Sequence, residues 1–332
     1  MASKRLSSFE LCRILAILCV LLIHSTFASL GHNVSMGVML LAGFSIVGVN
    51  VFVMLTGYFS ATPKKSGLLN LAFVCFFWMI VSVVSRYLLH QEISYKTFFF
   101  ITSSNWFIPS YIGLLFFSPI LNLFCGSVSK DTLWRIVLIL LFIEVWFDWI
   151  PPQPRITLGT NTGHSVLSFL ILYLLARAIR LHGIPDWLKK VCPWVYLVCS
   201  VVLGLFAFVL LRTGYEHRVG WVFADNNPIV ILSSVAFLLS FEQMKIDSKL
   251  INYLAKSTLA VLLGHSAIFF LYTRQFKYLY DHYDGLVIVG FWALAIIIVF
   301  VASVFFDQLR LFLWAPIDGW LKKSIKTDKV FP

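Results

Sequence analysis

The sequence predicts an all-α integral membrane protein with about ten transmembrane helices, both termini cytoplasmic, and a single transmembrane domain over residues 1–332. Three observations carry this. Of the 332 residues, 60% are hydrophobic and only 12% charged, and the mean hydropathy is +0.88. A soluble domain carries roughly a quarter charged residues. The apolar residues fall in blocks of about twenty, the length that crosses a hydrocarbon core of about 30 Å. In lipid every backbone polar group needs an internal partner, so such blocks must be helical. Finally, Lys and Arg are shared unevenly among the connections.

Ten blocks run Phe9–Phe27, Met36–Phe59, Gly67–Leu89, Trp106–Phe124, Leu133–Ile150, Ser165–Ile179, Trp194–Leu211, Pro228–Phe241, Thr258–Tyr272 and Leu286–Leu311. The block before Glu242 is short, and Phe98–Ile101 reads either as loop or as a re-entrant piece. With the N-terminus inside, nineteen of the 26 basic residues, among them Lys4, Arg5, Arg13, Lys64, Lys65, Lys189 and Lys190, lie at inner ends. Arg86, Arg155 and Arg212 are among the few outside. The net charge of +11 is then a topology signal rather than a nucleic-acid footprint. The expected partner is the lipid bilayer, with no nucleic acid. Lys4 and Arg5 ahead of an apolar run imitate a secretory signal, but Glu10 and Arg13 interrupt it, and the block reads as a retained first helix. The six cysteines sit in or beside blocks with no Cys-x-x-Cys pair, so neither a metal site nor a disulfide framework is expected.

Ionisable residues inside spans are costly and point to function. The first block holds Glu10, Arg13 and His24. At 100° per residue, Arg13 and His24 come within about 20° of one face, and Glu10 within about 40° of His24. His24 lies about 16 Å further along the axis than Arg13. The alternative is that Arg13 snorkels to one surface and His24 ends the helix at the other. Glu144 and Asp148, four apart, share a face of the fifth block; they either orient an imidazole or sit solvated at the outer edge.

Glu10-Leu11-Cys12-Arg13, followed eleven residues later by His24, resembles the opening helix of the membrane acyltransferase-3 family. Further along, Val49-Asn50-Val51-Phe52-Val53-Met54-Leu55-Thr56-Gly57-Tyr58 is similar to that family's Phe-rich run ending in Ser-Gly-Tyr. Asn105-Trp106-Phe107 with Tyr111, then Ser118-Pro119, is similar to its Trp-Phe…Tyr…Ser-Pro segment. Asn161-Thr162-Gly163-His164-Ser165 resembles the start of its sixth span, and Asp225-Asn226-Asn227-Pro228 the entry to a later one. Lys256-Ser257-Thr258 with His265 resembles its closing block. The chain departs from the family at Lys64 and Lys65, where many members carry arginine, and at Leu262, where the family has tyrosine.

The resemblance implies an enzyme of the bacterial inner membrane. It would move an acyl group, usually acetyl, from acyl-CoA to a hydroxyl of O-antigen, capsule, lipopolysaccharide or another envelope glycan or lipid-linked sugar. Acetyl-CoA is then the expected donor, with no metal. His24 is the candidate general base, since a sugar hydroxyl must lose its proton as it attacks, and Glu144 or Asp148 would hold its tautomer. Arg13, Lys64 and Lys65 suit the donor's phosphates, with Tyr58 and Trp106 also on the donor side; Asn50, Tyr58, Trp106 and Tyr111 are candidate oxyanion donors or packing residues. Arg86, Tyr111, His164, Asn227 and His265 are candidates for the acceptor. The sequence leaves the oligomeric state open, a homo-oligomer included. The competing reading is a transporter or flippase, though neither inverted repeats nor paired broken helices are visible.

Overall fold

The computed structural model describes residues 6–27, 34–99, 105–150, 159–283 and 285–324. Lys4, Arg5, His32, Ile101 and Arg155 lie outside them. Among the described residues the regular structure is entirely helical. The helices are α1 (Ser7–Phe27), α2 (Met36–Ser45), α3 (Gly48–Tyr58), α4 (Lys65–Leu88), α5 (Tyr95–Phe98), α6 (Phe107–Ser127), α7 (Lys130–Glu144) and α8 (Val166–His182). They continue with α9 (Asp186–Arg212), α10 (Val219–Val222), α11 (Pro228–Glu242), α12 (Lys249–Leu254), α13 (Thr258–Ala267), α14 (Phe269–His282) and α15 (Gly285–Ser324).

Every predicted block falls on helix, but not every helix is long enough to span. Six described stretches have the length and apolarity to cross a membrane: α1, α2 with α3, α4, α6, α9 and α15. Residues 249–267 and α14 together make a seventh candidate, bent by 74° at the break. Among the described residues this gives six or seven candidate spans beside the ten expected. The sixth, eighth and fifth blocks correspond to α8, α11 and α7, with 17, 15 and 15 residues. At 1.5 Å per residue these reach only about 22–26 Å. The fifth block continues as a π-helical turn, Val145–Trp149, in which Ile150 N–H reaches back to the Val145 carbonyl.

Residues gather into two compact units. The first comprises residues 1–61 and 120–255, and the second residues 62–119 and 256–332.

The first unit is built around α1. Cys12, Ala16, Ile17, Val20 and Leu21 are buried almost completely against α2, α3 and α11. Without a hydrophobic drive between helices in lipid, close approach depends on small residues. Gly48 supplies one: a Cβ there would meet the Ala16 carbonyl at 2.7 Å and Val20 at 2.8 Å. Gly43 on α2 and Gly204 on α9 serve the same purpose where those helices cross. The outward face of α9 keeps Trp194, Val198, Phe206 and Val209 exposed, as a lipid-facing helix does.

In the second unit, α13, α4 and α15 pack together. The 40-residue α15 exposes Ile297, Val301, Phe305 and Phe312. Its two buried charges are paired: Arg310 Nε donates to Asp307 Oδ1 at 2.6 Å, and Arg310 Nη1 to Asn70 Oδ1 at 2.8 Å.

Candidate functional site

The first unit has two polar ends joined by the same helices. At one end, α1 begins with Glu10 and Arg13, and Arg13 Nη1 donates to Glu10 Oε2 at 2.8 Å. Phe9 packs on Tyr58 at the end of α3, with ring centroids 5.0 Å apart. Arg180, near the end of α8, lies over that tyrosine ring at 5.0 Å and donates to its hydroxyl at 3.3 Å. Glu242, closing α11, acts on Tyr58 and accepts from Lys189 Nζ at 2.9 Å.

At the other end, α1 finishes with half-buried His24. Its Nδ1 lies 2.8 Å from the Val20 carbonyl oxygen. A carbonyl only accepts, so Nδ1 carries the hydrogen and Nε2 the lone pair. This bond is ordinary helical geometry, since His282 repeats it with Tyr278 at 2.9 Å. What sets His24 apart is its surroundings. Asp225 and His164 both act electrostatically on its ring, and His164 Nε2 sits 3.2 Å from Asp225 Oδ2.

Asp225 precedes α11 and is buried. The Asn50 side-chain amide, near the start of α3, donates to its backbone carbonyl at 2.8 Å. The neighbouring Asn226 Nδ2 donates to Asp148 Oδ2 at 2.7 Å, and the same oxygen accepts from Thr162 N–H at 2.6 Å. The turn carrying His164 is left-handed at three successive residues: Asn161 (φ 47°), Thr162 (φ 56°) and Gly163 (φ 97°). A Cβ at Gly163 would lie 2.5 Å from that of Asp225, so only glycine lets the turn close on the aspartate. Non-glycine residues in this region cost of order 1–3 kcal/mol each and concentrate at functional sites.

The sequence candidates are distributed as follows. His24, His164, Glu144, Asp148 and Asn227 come together at one end of the first unit. Asp148 is held by Thr162 and Asn226, and Glu144, nearly fully buried, stands within electrostatic range of Asp148 and Asp225. Asn227 caps α11, its Oδ1 accepting from Ile229 N–H at 2.9 Å while Nδ2 donates to Val222. Arg13 and Tyr58 lie at the opposite end, which puts the Tyr58 hydroxyl out of reach as an oxyanion donor at His24.

Lys64, Lys65, Arg86, Trp106, Tyr111 and His265 belong to the second unit. Lys64 and Lys65 are exposed at the start of α4. Arg86 lies over the Phe270 ring at 4.8 Å. Tyr111 stacks on Phe107 at 5.5 Å, and Trp106 meets Phe107 edge-on. His265 is buried just before the 74° bend, its Nδ1 3.3 Å from the Val261 carbonyl and its ring edge-on to Phe269 and Tyr272. Among the described residues no group of three or more His, Cys, Asp and Glu is arranged to hold a metal ion.

Asp225 was not singled out by sequence spacing as the acid beside the histidines. The available signal was its place in Asp225-Asn226-Asn227-Pro228, a polar run opening a helix. Trp149 and Trp221, far apart in sequence, stack nearby at 4.8 Å.

Comparison with known proteins gives one extended match and one short one. Solute carrier family 22 member 6 of Pseudopleuronectes americanus is 27% identical over 127 residues, which is 36% of this chain. The chain spans only about a fifth of that carrier's length, and so short a match does not favour a transporter. No solved structure matches. The family model described as "Acyltransferase domain" matches residues 6–307, taking in the helices of both units down to the buried Asp307 of α15. The chain therefore belongs to the acyltransferase-3 family.

Proposed function

We propose that the chain carries an acetyl group from cytoplasmic acetyl-CoA to a hydroxyl of a bacterial envelope glycan, with His24 as general base. The observation that supports this is the His164–Asp225 contact at 3.2 Å within electrostatic range of His24, one helix length from Arg13. CoA is cytoplasmic and polyanionic, so its phosphates belong at the Arg13 end. That requires both termini to be cytoplasmic, in keeping with the Lys/Arg bias. The pantetheine arm is long enough to run beside α1 and bring the thioester to His24.

There the sugar hydroxyl gives its proton to His24 Nε2 while its oxygen attacks the thioester carbonyl carbon. The tetrahedral adduct collapses, the C–S bond breaks, and the imidazolium returns the proton to the departing CoA thiolate. Asp225 steadies the positive charge that His24 acquires, and the His164 contact fixes the carboxylate in place. A positioned base of this kind contributes roughly 10²–10⁴-fold.

Purified protein reconstituted in lipid, given radiolabelled acetyl-CoA and bacterial envelope glycan, tests the reading. Wild type should label the glycan, and His24→Ala should lower turnover by at least about 10²-fold with acetyl-CoA binding retained. Normal labelling by His24→Ala would remove the base role. Reporter fusions after Lys65 and Lys190 should read cytoplasmic and one after Arg155 periplasmic; an external Lys65 fusion would overturn the orientation.

A further inference from the structure

The His24 end holds polar atoms that the transfer step leaves unused. Asn226 Oδ1, Asn50 Oδ1 and Glu144 Oε1 are buried, with their residues 1–2% exposed, and none has a hydrogen-bond partner among the described residues. Both amides have a fixed sense. Asn226 must point its NH₂ at the Asp148 carboxylate and Asn50 must point its NH₂ at the Asp225 carbonyl, because both partners only accept. Their oxygens are thereby turned the other way. Burying unmatched acceptors costs free energy, and what they call for is a partner rich in donors.

Beside them stands an aromatic pair. Trp149 and Trp221 stack at 4.8 Å with planes 11° apart, and each indole N–H donates to the other's backbone carbonyl, at 3.1 and 2.6 Å. Trp149 directly follows Asp148, and Trp221 lies on α10 just before Asp225. Both indoles are half-buried. Phe206 meets Trp221 edge-on, and no other ring stacks on Trp149 among the described residues.

A flat apolar face next to buried acceptors matches a molecule with one C–H face and several hydroxyls. The geometry points to a pyranoside subsite, with the sugar ring on Trp149 and its hydroxyls donating to Glu144, Asn226 and Asn50. This inference rests on the acyl-transfer reading for its role as the acceptor site, but its binding can be measured without any transfer.

Saturation-transfer NMR on the protein in lipid nanodiscs tests it, with methyl α-glucopyranoside, methyl α-galactopyranoside and methyl α-mannopyranoside as probes and glycerol as the acyclic control. At least one glycoside should receive saturation at its ring protons above the glycerol level. Trp149→Ala should reduce that signal at least fivefold, Trp149→Phe should keep most of it, and Glu144→Ala should weaken it. Trp320→Phe, which changes an exposed indole on α15, should leave it unchanged. Trp149→Phe keeps the test valid if Trp149→Ala fails to fold, because loss of the signal in Trp149→Phe would equally count against the stacking role. A glycoside signal no higher than glycerol's, or one equal in wild type and Trp149→Ala, overturns the subsite. Loss of the signal on adding EDTA also overturns it, assigning the oxygens to a cation. If the glycoside signal behaves as expected while wild type labels no glycan from acetyl-CoA, the transfer reading fails and the sugar site stands.

Discussion

At the Arg13 end of the first unit, charges sit in opposite-sign pairs: Arg13 with Glu10, and Lys189 with Glu242. The Arg13–Glu10 contact is local, one turn apart on a single helix. At the His24 end the balance is acidic, with Glu144, Asp148 and Asp225 against two imidazoles, and the contacts join segments far apart in sequence. Residues 24, 50, 144–149, 161–164 and 221–227 meet there. The same α1, α3, α8 and α11 reach both ends, so the difference lies in what terminates them. One end is a rim of opposite-sign pairs. The other is a fixed constellation whose geometry is held by backbone strain, buried amides and a tryptophan stack, as preorganised chemistry requires.

The contrast can be broken most severely at Asp225. Asp225→Ala should lower glycan acetylation by about 10²-fold or more, on the scale of general acid–base assistance, while acetyl-CoA still binds by calorimetry. Loss of donor binding in that variant would mean that the two ends are not functionally separate.

Gly163→Ala should act through structure. It places a methyl group into Asp225 at a positive φ and should cost on the order of 1–3 kcal/mol, read as a lowered thermal midpoint with a proportionate loss of activity. An unchanged midpoint would show that the left-handed turn relaxes freely.

Arg13→Ala sharpens the comparison from the other side. It should raise the apparent KM for acetyl-CoA severalfold while kcat stays near wild type, because it removes a charge-assisted contact to phosphate. A fall in kcat at unchanged KM would reassign Arg13 to support of the helix through Glu10.

Arg180→Ala should have the smallest effect, since an exposed cation–π contact is worth about 0.5–1 kcal/mol. A shift of the melting midpoint by a few degrees and less than a threefold change in KM are expected.

The helices were legible because apolar blocks are a local signal, and every predicted block falls on helix, though three of them on more than one. Their lengths were less so: α7 gives way to a π turn before Trp149, which hydropathy does not register. The shared face of Arg13 and His24 followed from 100° arithmetic alone. The Asp225–His164 contact did not, because it spans 61 residues and depends on how α8 and α11 enter the bundle. Periodicity is silent about such pairings. Asp148 illustrates the same limit: spacing puts it on one face with Glu144, but what holds it is an amide and a backbone N–H from other segments.

The length of α15 has a consequence for the surrounding lipid. Forty residues make a rod of roughly 60 Å, about twice the thickness of the hydrocarbon layer. The usual inclination of about 20° shortens its projection by only a few ångströms, so roughly half of it must emerge. The final turns carry Trp314, Trp320 and Lys323, the residue types that settle among headgroups. Asp307 and Arg310 can occupy the intervening depth because they neutralise each other and Asn70 takes the remaining donor. Hydrophobic mismatch is therefore built into this helix, and a thicker bilayer would draw more of its length into the acyl chains.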